Sequence, residues 1–132
     1  MGLWAQGQGQ RIGIVGSRSI ADRKMIFERM DALIAERGVS MIVSGGARGV
    51  DRLAEEYARE RQIPFQVFYP ELPARGARWC YTRACYARNK QIVENCDLLV
   101  AFVDKETGGT WNTIKQARSQ GKEVIICEQR KN

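Results

Sequence analysis

Short apolar runs alternate along this chain with stretches in which apolar residues recur every three or four positions. The run from Arg11 to Val15 ends at Gly16 and predicts a first strand. From about Ala21 to Arg37, Ile26, Met30, Leu33 and Ile34 fall at helical spacing, and Gly38 supplies the stop. Val39 to Val43 reads as a second strand. Val50, Leu53, Ala54, Tyr57 and Ala58 then share one face of a second helix, which Pro64 closes. Phe65 to Tyr69 makes a third strand. The stretch from Pro70 to Arg83 has no clear period, and a helix from about Ala84 to Asn95 follows it. Leu98 to Val103 forms a fourth strand, Trp111 to Gln120 a helix ended by Gly121, and Val124 to Cys127 a fifth strand.

The strand runs are almost continuously apolar rather than alternating, which fits strands covered on both faces. Strands alternating with helices predict an α/β protein, a Rossmann-like doubly wound sheet of five parallel strands with right-handed crossovers. Strand order 3-2-1-4-5 would set the switch point between the first and fourth strands, where ligands settle in such folds. One domain over residues 11–127 is expected, with loose tails at 1–10 and 128–132. Trp4, in the first tail, could dock on the domain.

Composition narrows the function classes. The chain has 132 residues, 44% hydrophobic and 27% charged, an ordinary globular balance. Its 21 Lys and Arg against 15 Asp and Glu give +6, which suits an acidic ligand or simply a solvated basic surface. No histidine is present, so the commonest general base and every Ser-His or Cys-His arrangement are missing. Cys80, Cys85, Cys96 and Cys127 form no C-x-x-C pair, so no metal site is expected and reduced thiols are. With no apolar run long enough to span a membrane and no secretion signal, a cytoplasmic protein is expected.

Three glycine turns join strand to helix, and each could aim free amides at one crevice. In the first, Gly16 lets a ligand approach, Ser17 offers a hydroxyl and Arg18 a fork for phosphate; Ser19 or Asp22 would cap the next helix. The second runs Ser44, Gly45, Gly46, Ala47, Arg48, Gly49, Val50, Asp51. Three glycines so close are costly unless the backbone needs unusual dihedrals or a bare surface. Asp51 suits either a ribose contact or simple capping of its helix. The third is Gly108, Gly109 and Thr110, with Thr110 as N-cap and phosphate ligand. Asp104, Lys105 and Glu106 before it read as a solvated loop. Arg88 and Asn89 lie near the same sheet edge. Arg75, Arg78, Arg83 and Arg88 interleave with Trp79, Tyr81 and Tyr86, a mixture that suits phosphates and base faces as well as an oligomer contact or a packed loop.

Taken together, Ile14-Val15-Gly16-Ser17-Arg18, the Ser44 to Asp51 run, Arg88-Asn89 and Gly109-Thr110 resemble the SLOG superfamily in order and spacing. That Rossmann-like group includes DNA-processing protein A and the lonely-guy phosphoribohydrolases, and the likeness is nearest to its small stand-alone, YspA-like members of bacteria and phages. The resemblance implies binding of a nucleotide or nucleotide derivative, with phosphate on the three turns neutralised by Arg18, Arg48 and Arg88. Asp51, Asn89 and Trp79 or Tyr81 would meet ribose and base. It also implies two alternatives. One is an N-glycosidase acting on nucleoside monophosphates, with Arg88 matching the catalytic arginine and Asp51 or Glu106 as carboxylate. The usual glutamate position, however, holds Thr113. The other is single-stranded DNA binding. No cofactor is required, although a phosphate could bring magnesium, and a homodimer or higher homo-oligomer is expected from the family.

Overall fold

The computed structural model describes residues 9–71, 78–104 and 108–128. Each strand is followed by a helix before the next begins, so every pairing is parallel. The elements are β1 (Gln10–Gly16), α1 (Arg23–Arg37), β2 (Val39–Ser44), α2 (Val50–Arg61), β3 (Phe65–Val67), α3 (Arg78–Glu94), β4 (Leu98–Val103), α4 (Gly108–Ser119) and β5 (Glu123–Glu128). Sheet order is β3-β2-β1-β4-β5, the order expected from the alternation. Ile12 of β1 stands opposite both Ile42 of β2 and Leu98 of β4, which fixes the register at the centre.

Two apolar layers hold helices to the sheet. On one face Ile26, Met30 and Ile34 of α1 and Val50, Leu53 and Tyr57 of α2 pack on Ile12, Ile14, Ile42, Leu98, Val100 and Phe102. On the other, Ile92 and Val93 of α3 and Ile114 and Ala117 of α4 pack on Val15, Val43, Leu99, Ala101 and Val103. β4 divides its side chains between the two layers and is buried throughout, as a central strand must be.

Local chemistry sets the ends. Asp22, rather than Ser19, caps α1 by accepting the Met25 N–H at 3.1 Å. Gly38, at φ 78°, ends the helix by returning its N–H to Ile34 O. α2 stops at Gln62, the one non-glycine residue at positive φ among the described residues, before Pro64 is reached. Several expected boundaries move. β3 stops at Val67 rather than Tyr69. α3 starts at Arg78 rather than Ala84, so Tyr81, Arg83 and Tyr86 are helical and not part of a loop. α4 starts at Gly108 rather than Trp111. Gln10 pairs with Val39 and Glu128 with Val103, so each belongs to a strand rather than to a tail. The roles expected of Trp4, Arg75, Lys105 and Glu106, and the tails at 1–8 and 129–132, lie outside the described residues, as do the side chains of Arg78 and Trp79. No helix among the described residues is long and apolar enough to cross a membrane.

Candidate functional site

Helices leave the sheet toward opposite faces on the two sides of the β1–β4 pair, so a crevice opens at the carboxyl ends of those strands. It holds a cleft of about 510 Å³, within the range of pockets that take small ligands. The end of β1, the first turns of α2 and α4, and the N-terminal half of α3 line it.

The first wall is the turn after β1. A Cβ on Gly16 would stand 2.5 Å from both Phe102 O and Val50 Cγ2, so only glycine lets the strand end between β4 and α2. The turn spends much of its hydrogen bonding on its own shape, contrary to the expectation of amides left for a ligand. Ser17 N–H donates to Phe102 O at 3.0 Å and Ser19 N–H to Ser17 Oγ at 3.2 Å. The Ser17 carbonyl accepts from Ile20 N–H at 3.3 Å and Val50 N–H at 3.4 Å. Ser19 Oγ donates to Asp104, which is therefore tied to the turn rather than free in a solvated loop. Arg18 remains exposed and donates through Nη2 to Tyr81 Oη at 3.0 Å, from the β1 turn to α3.

The second turn is built differently from its expected role. Ser44 is fully buried and its hydroxyl donates to Ile14 O at 2.7 Å. Gly45 lies against Arg88, whose Nη1 would be 2.7 Å from a Cβ there. Gly46, at φ +74°, abuts the Tyr69 ring, and Gly49, at φ +72°, abuts the carbonyls of Ser17 and Arg18. Ser44, Gly45, Gly46 and Arg48 do not line the cleft, whereas Ala47 and Asp51 do. Asp51 is only 6% exposed and its Oδ2 accepts the Ala47 N–H at 3.1 Å. Burial pushes its carboxyl above the ordinary range, against the pull of that N–H, of Arg88, of Ser44 and of Arg18. It is the one carboxylate among the described lining residues.

α3 supplies the facing wall. Tyr81, Thr82, Cys85, Tyr86, Arg88, Asn89 and Ile92 form one stripe at helical spacing. Arg88 donates through Nη1 to Gly45 O and, at 3.5 Å, to Phe68 O, and through Nε to Asn89 Oδ1 at 3.0 Å. Asn89 is buried and donates through Nδ2 to Asn112 Oδ1 at 3.2 Å and to Gly109 O at 3.4 Å. Thr113 Oγ1 donates to the same carbonyl at 3.2 Å. These bonds fix the first turn of α4 at the cleft wall. Thr110 is not its N-cap, because the helix already begins at Gly108; it sits buried within the first turn. A Cβ on Gly109 would meet nothing within 4 Å among the described residues.

Of the expected ligand residues, the cleft gathers Gly16, Ser17, Arg18, Ala47, Asp51, Arg88, Asn89, Gly109 and Thr110. Thr82 and Cys85 were not singled out for a ligand by sequence. Extending the α3 stripe about two turns upstream from Asn89 finds them. No cluster of Cys, Asp or Glu suited to a metal occurs among the described residues.

The comparisons agree with this geometry at the level of fold. A model of the YspA, cpYpsA-related SLOG family matches residues 10–74. Gene 61 protein of Mycobacterium phage D29 is 33% identical over 119 residues, covering 88% of this chain and 94% of the phage protein. DNA processing protein A (DprA) of Streptococcus pneumoniae superposes with a TM-score of 0.70 at 20% identity, over 88% of this chain. This chain spans 49% of that protein's length. DNA processing protein A of Helicobacter pylori, a single-stranded DNA binder, superposes with a TM-score of 0.68 at 19% identity, over 95% of this chain and 68% of its own.

Proposed function

The chain belongs to the YspA, cpYpsA-related SLOG family, and from that premise we propose that it binds a nucleotide or nucleotide derivative in the cleft without cleaving it efficiently. One observation carries the reading: a cleft of about 510 Å³ at the switch point, bordered by the first turn of α4 and by two arginines. A helix N-terminus and guanidinium groups favour an anion. Phosphate rests on Gly109-Thr110 and the Gly16-Ser17-Arg18 turn, with Arg18 leaving Tyr81 to bind it. Arg88 acts at longer range, since carbonyls and Asn89 already occupy its Nη1 and Nε. The Gly45-Gly46 turn and Arg48 contribute support and surface charge rather than direct contact. Efficient hydrolysis is disfavoured because Thr113 offers no carboxylate and its hydroxyl is committed to Gly109 O. A magnesium ion could accompany the phosphate.

A thermal-shift panel of mono-, di- and cyclic nucleotides tests the proposal. A ligand at 100 times its dissociation constant adds ~2.7 kcal/mol to the native state. A melting temperature unmoved by every nucleotide would overturn it.

Single-stranded DNA binding is the second reading. It is supported by the fold likeness to the Helicobacter pylori protein and by Tyr69, Tyr81 and Tyr86, exposed by 64%, 42% and 38%. That reading demands an affinity that falls steeply with salt, because phosphate contacts release counterions. A flat salt dependence rejects it.

A further inference from the structure

Charge is divided unevenly between the two helix layers. Helices α1 and α2 carry seven Lys and Arg against seven Asp and Glu, a net of zero. Helices α3 and α4 carry six against one, a net of +5 in a chain whose total is +6. Pairing follows the same division. On the first layer Arg61 meets Asp31 at 2.9 Å, Arg59 meets Glu55 at 2.8 Å, and Arg23 meets Glu60. On the second, Lys90, Lys115 and Arg118 are exposed and have no ion pair among the described residues.

These cations form one surface. α3 and α4 lie side by side, joined by Asn89 Nδ2 donating to Asn112 Oδ1 and Gln116 Nε2 to the Tyr86 carbonyl. Arg83 is exposed seven residues upstream of Lys90, about two turns along the same stripe of α3. Arg88 lines the cleft, whereas Arg83, Lys90, Lys115 and Arg118 do not. The surface is therefore separate from the nucleotide site.

The rest of that face selects among acidic partners. A stable protein contact has an apolar or aromatic centre, and a helix lying on a lipid surface presents an apolar stripe. Around these cations the exposed residues are Ala87, Gln91, Glu94 and Ser119; the exposed Tyr81 and Tyr86 line the cleft instead. A single strand wants aromatic platforms for its bases, but a phosphate backbone needs only cations and small polar side chains. We infer that the outer face of α3 and α4 docks the phosphate backbone of a duplex nucleic acid, without reading its sequence.

Fluorescence anisotropy of the full chain with labelled DNA and RNA duplexes of unrelated sequences tests this, and binding to either duplex supports it. Raising salt from about 50 to 200 mM should weaken the complex roughly fortyfold, the counterion release of three phosphates. The triple variant Lys90→Gln, Lys115→Gln, Arg118→Gln should bind at least about tenfold more weakly at low salt, with a flatter salt dependence. Its melting should be unchanged, since glutamine suits an exposed helix. The variant Lys24→Gln, Arg29→Gln, Arg52→Gln removes as much charge from exposed positions of α1 and α2 and should stay within about twofold of wild type. Equal losses in the two variants make net charge the cause and overturn the inference. So does oligothymidylate binding more tightly than both duplexes, and so do phosphatidylserine vesicles capturing the chain when neither duplex does. No cleft residue is changed, so nucleotide binding stands or falls on its own test.

Discussion

The second and third glycine turns look alike in sequence and are used in opposite ways. At Gly45, Gly46 and Gly49 the missing side chain makes room for the protein itself: Arg88, Tyr69 and two carbonyls fill the space. At Gly109 no described residue fills the space, and the glycine lines the cleft. A glycine therefore signals close approach of something, and only the fold shows whether that something is another part of the chain. The denser run, Ser44 to Asp51, is a structural clasp; the sparser pair is the one left open.

Substitutions at the clasp should be the most damaging. Gly49→Ala forces a positive φ of 72° on a residue with a side chain and drives its Cβ to within 2.6 Å of two backbone oxygens. Neither oxygen can retreat without dismantling the Ser17 turn, so a loss of roughly 3 kcal/mol is expected by chemical denaturation. Gly46→Ala shares the unfavourable φ but meets side chains rather than backbone, the exposed Tyr69 ring, which can swing away, and Val67 Cγ1 at 2.9 Å. Its cost should be nearer ~2 kcal/mol, backbone strain with a small crowding penalty. Equal losses at the two positions would show that backbone strain, not crowding, governs the clasp.

Arg88→Leu comes next. It keeps most of the apolar stem but removes the donors to Gly45 O, Phe68 O and Asn89. The stranded carbonyls should cost about 2 kcal/mol in the same assay. A variant as stable as the wild type would free Arg88 for a direct ligand role and weaken the distinction between the turns.

The sheet was legible in sequence because its signal is burial. Ile12, Ile14, Ile42 and the whole of Leu98 to Val103 are apolar because both faces are covered. The first half of α3 was not legible, for the converse reason. Tyr81, Thr82, Cys85, Arg88 and Asn89 face a cleft rather than a core, so the periodicity of an apolar stripe begins only at Ile92 and Val93. The same logic applies to the site. Residue types pointed to Arg18, Asp51, Asn89 and Thr110, but nothing in the sequence distinguished Gly45 packed on Arg88 from Gly109 packed on nothing. Long-range partners such as Arg18 with Tyr81 leave no local trace.

Asp51 joins the two uses, holding the clasp through Ala47 and lining the cleft. Burial raises its carboxyl above the ordinary 3.8. As pH rises from that value the unfolded chain therefore gives up this proton first, and the native state loses stability until the buried carboxyl has also ionised. Asp51→Asn carries no such titration. Its stability relative to wild type should improve between acid and neutral pH, by less than either loss above. Denaturation midpoints of both proteins along a pH series measure the difference, and parallel curves would place Asp51 in a less buried setting than the fold gives it.

The smallest change in stability should come from Gly109→Ala. No described residue lies within 4 Å of the added methyl, the residue is in the first turn of α4, and its φ is not positive. Alanine loses less backbone entropy than glycine in a helix, so the variant should be more stable by roughly 0.5 kcal/mol. The same methyl would stand where a phosphate must approach the amides of α4. Nucleotide affinity should therefore fall by about tenfold, the effect of losing one good anion contact worth ~1.4 kcal/mol. A stability gain joined to a binding loss is a combination that packing alone does not produce. If affinity instead follows stability upward, the space beside Gly109 is idle, and the contrast between the two turns loses its functional meaning.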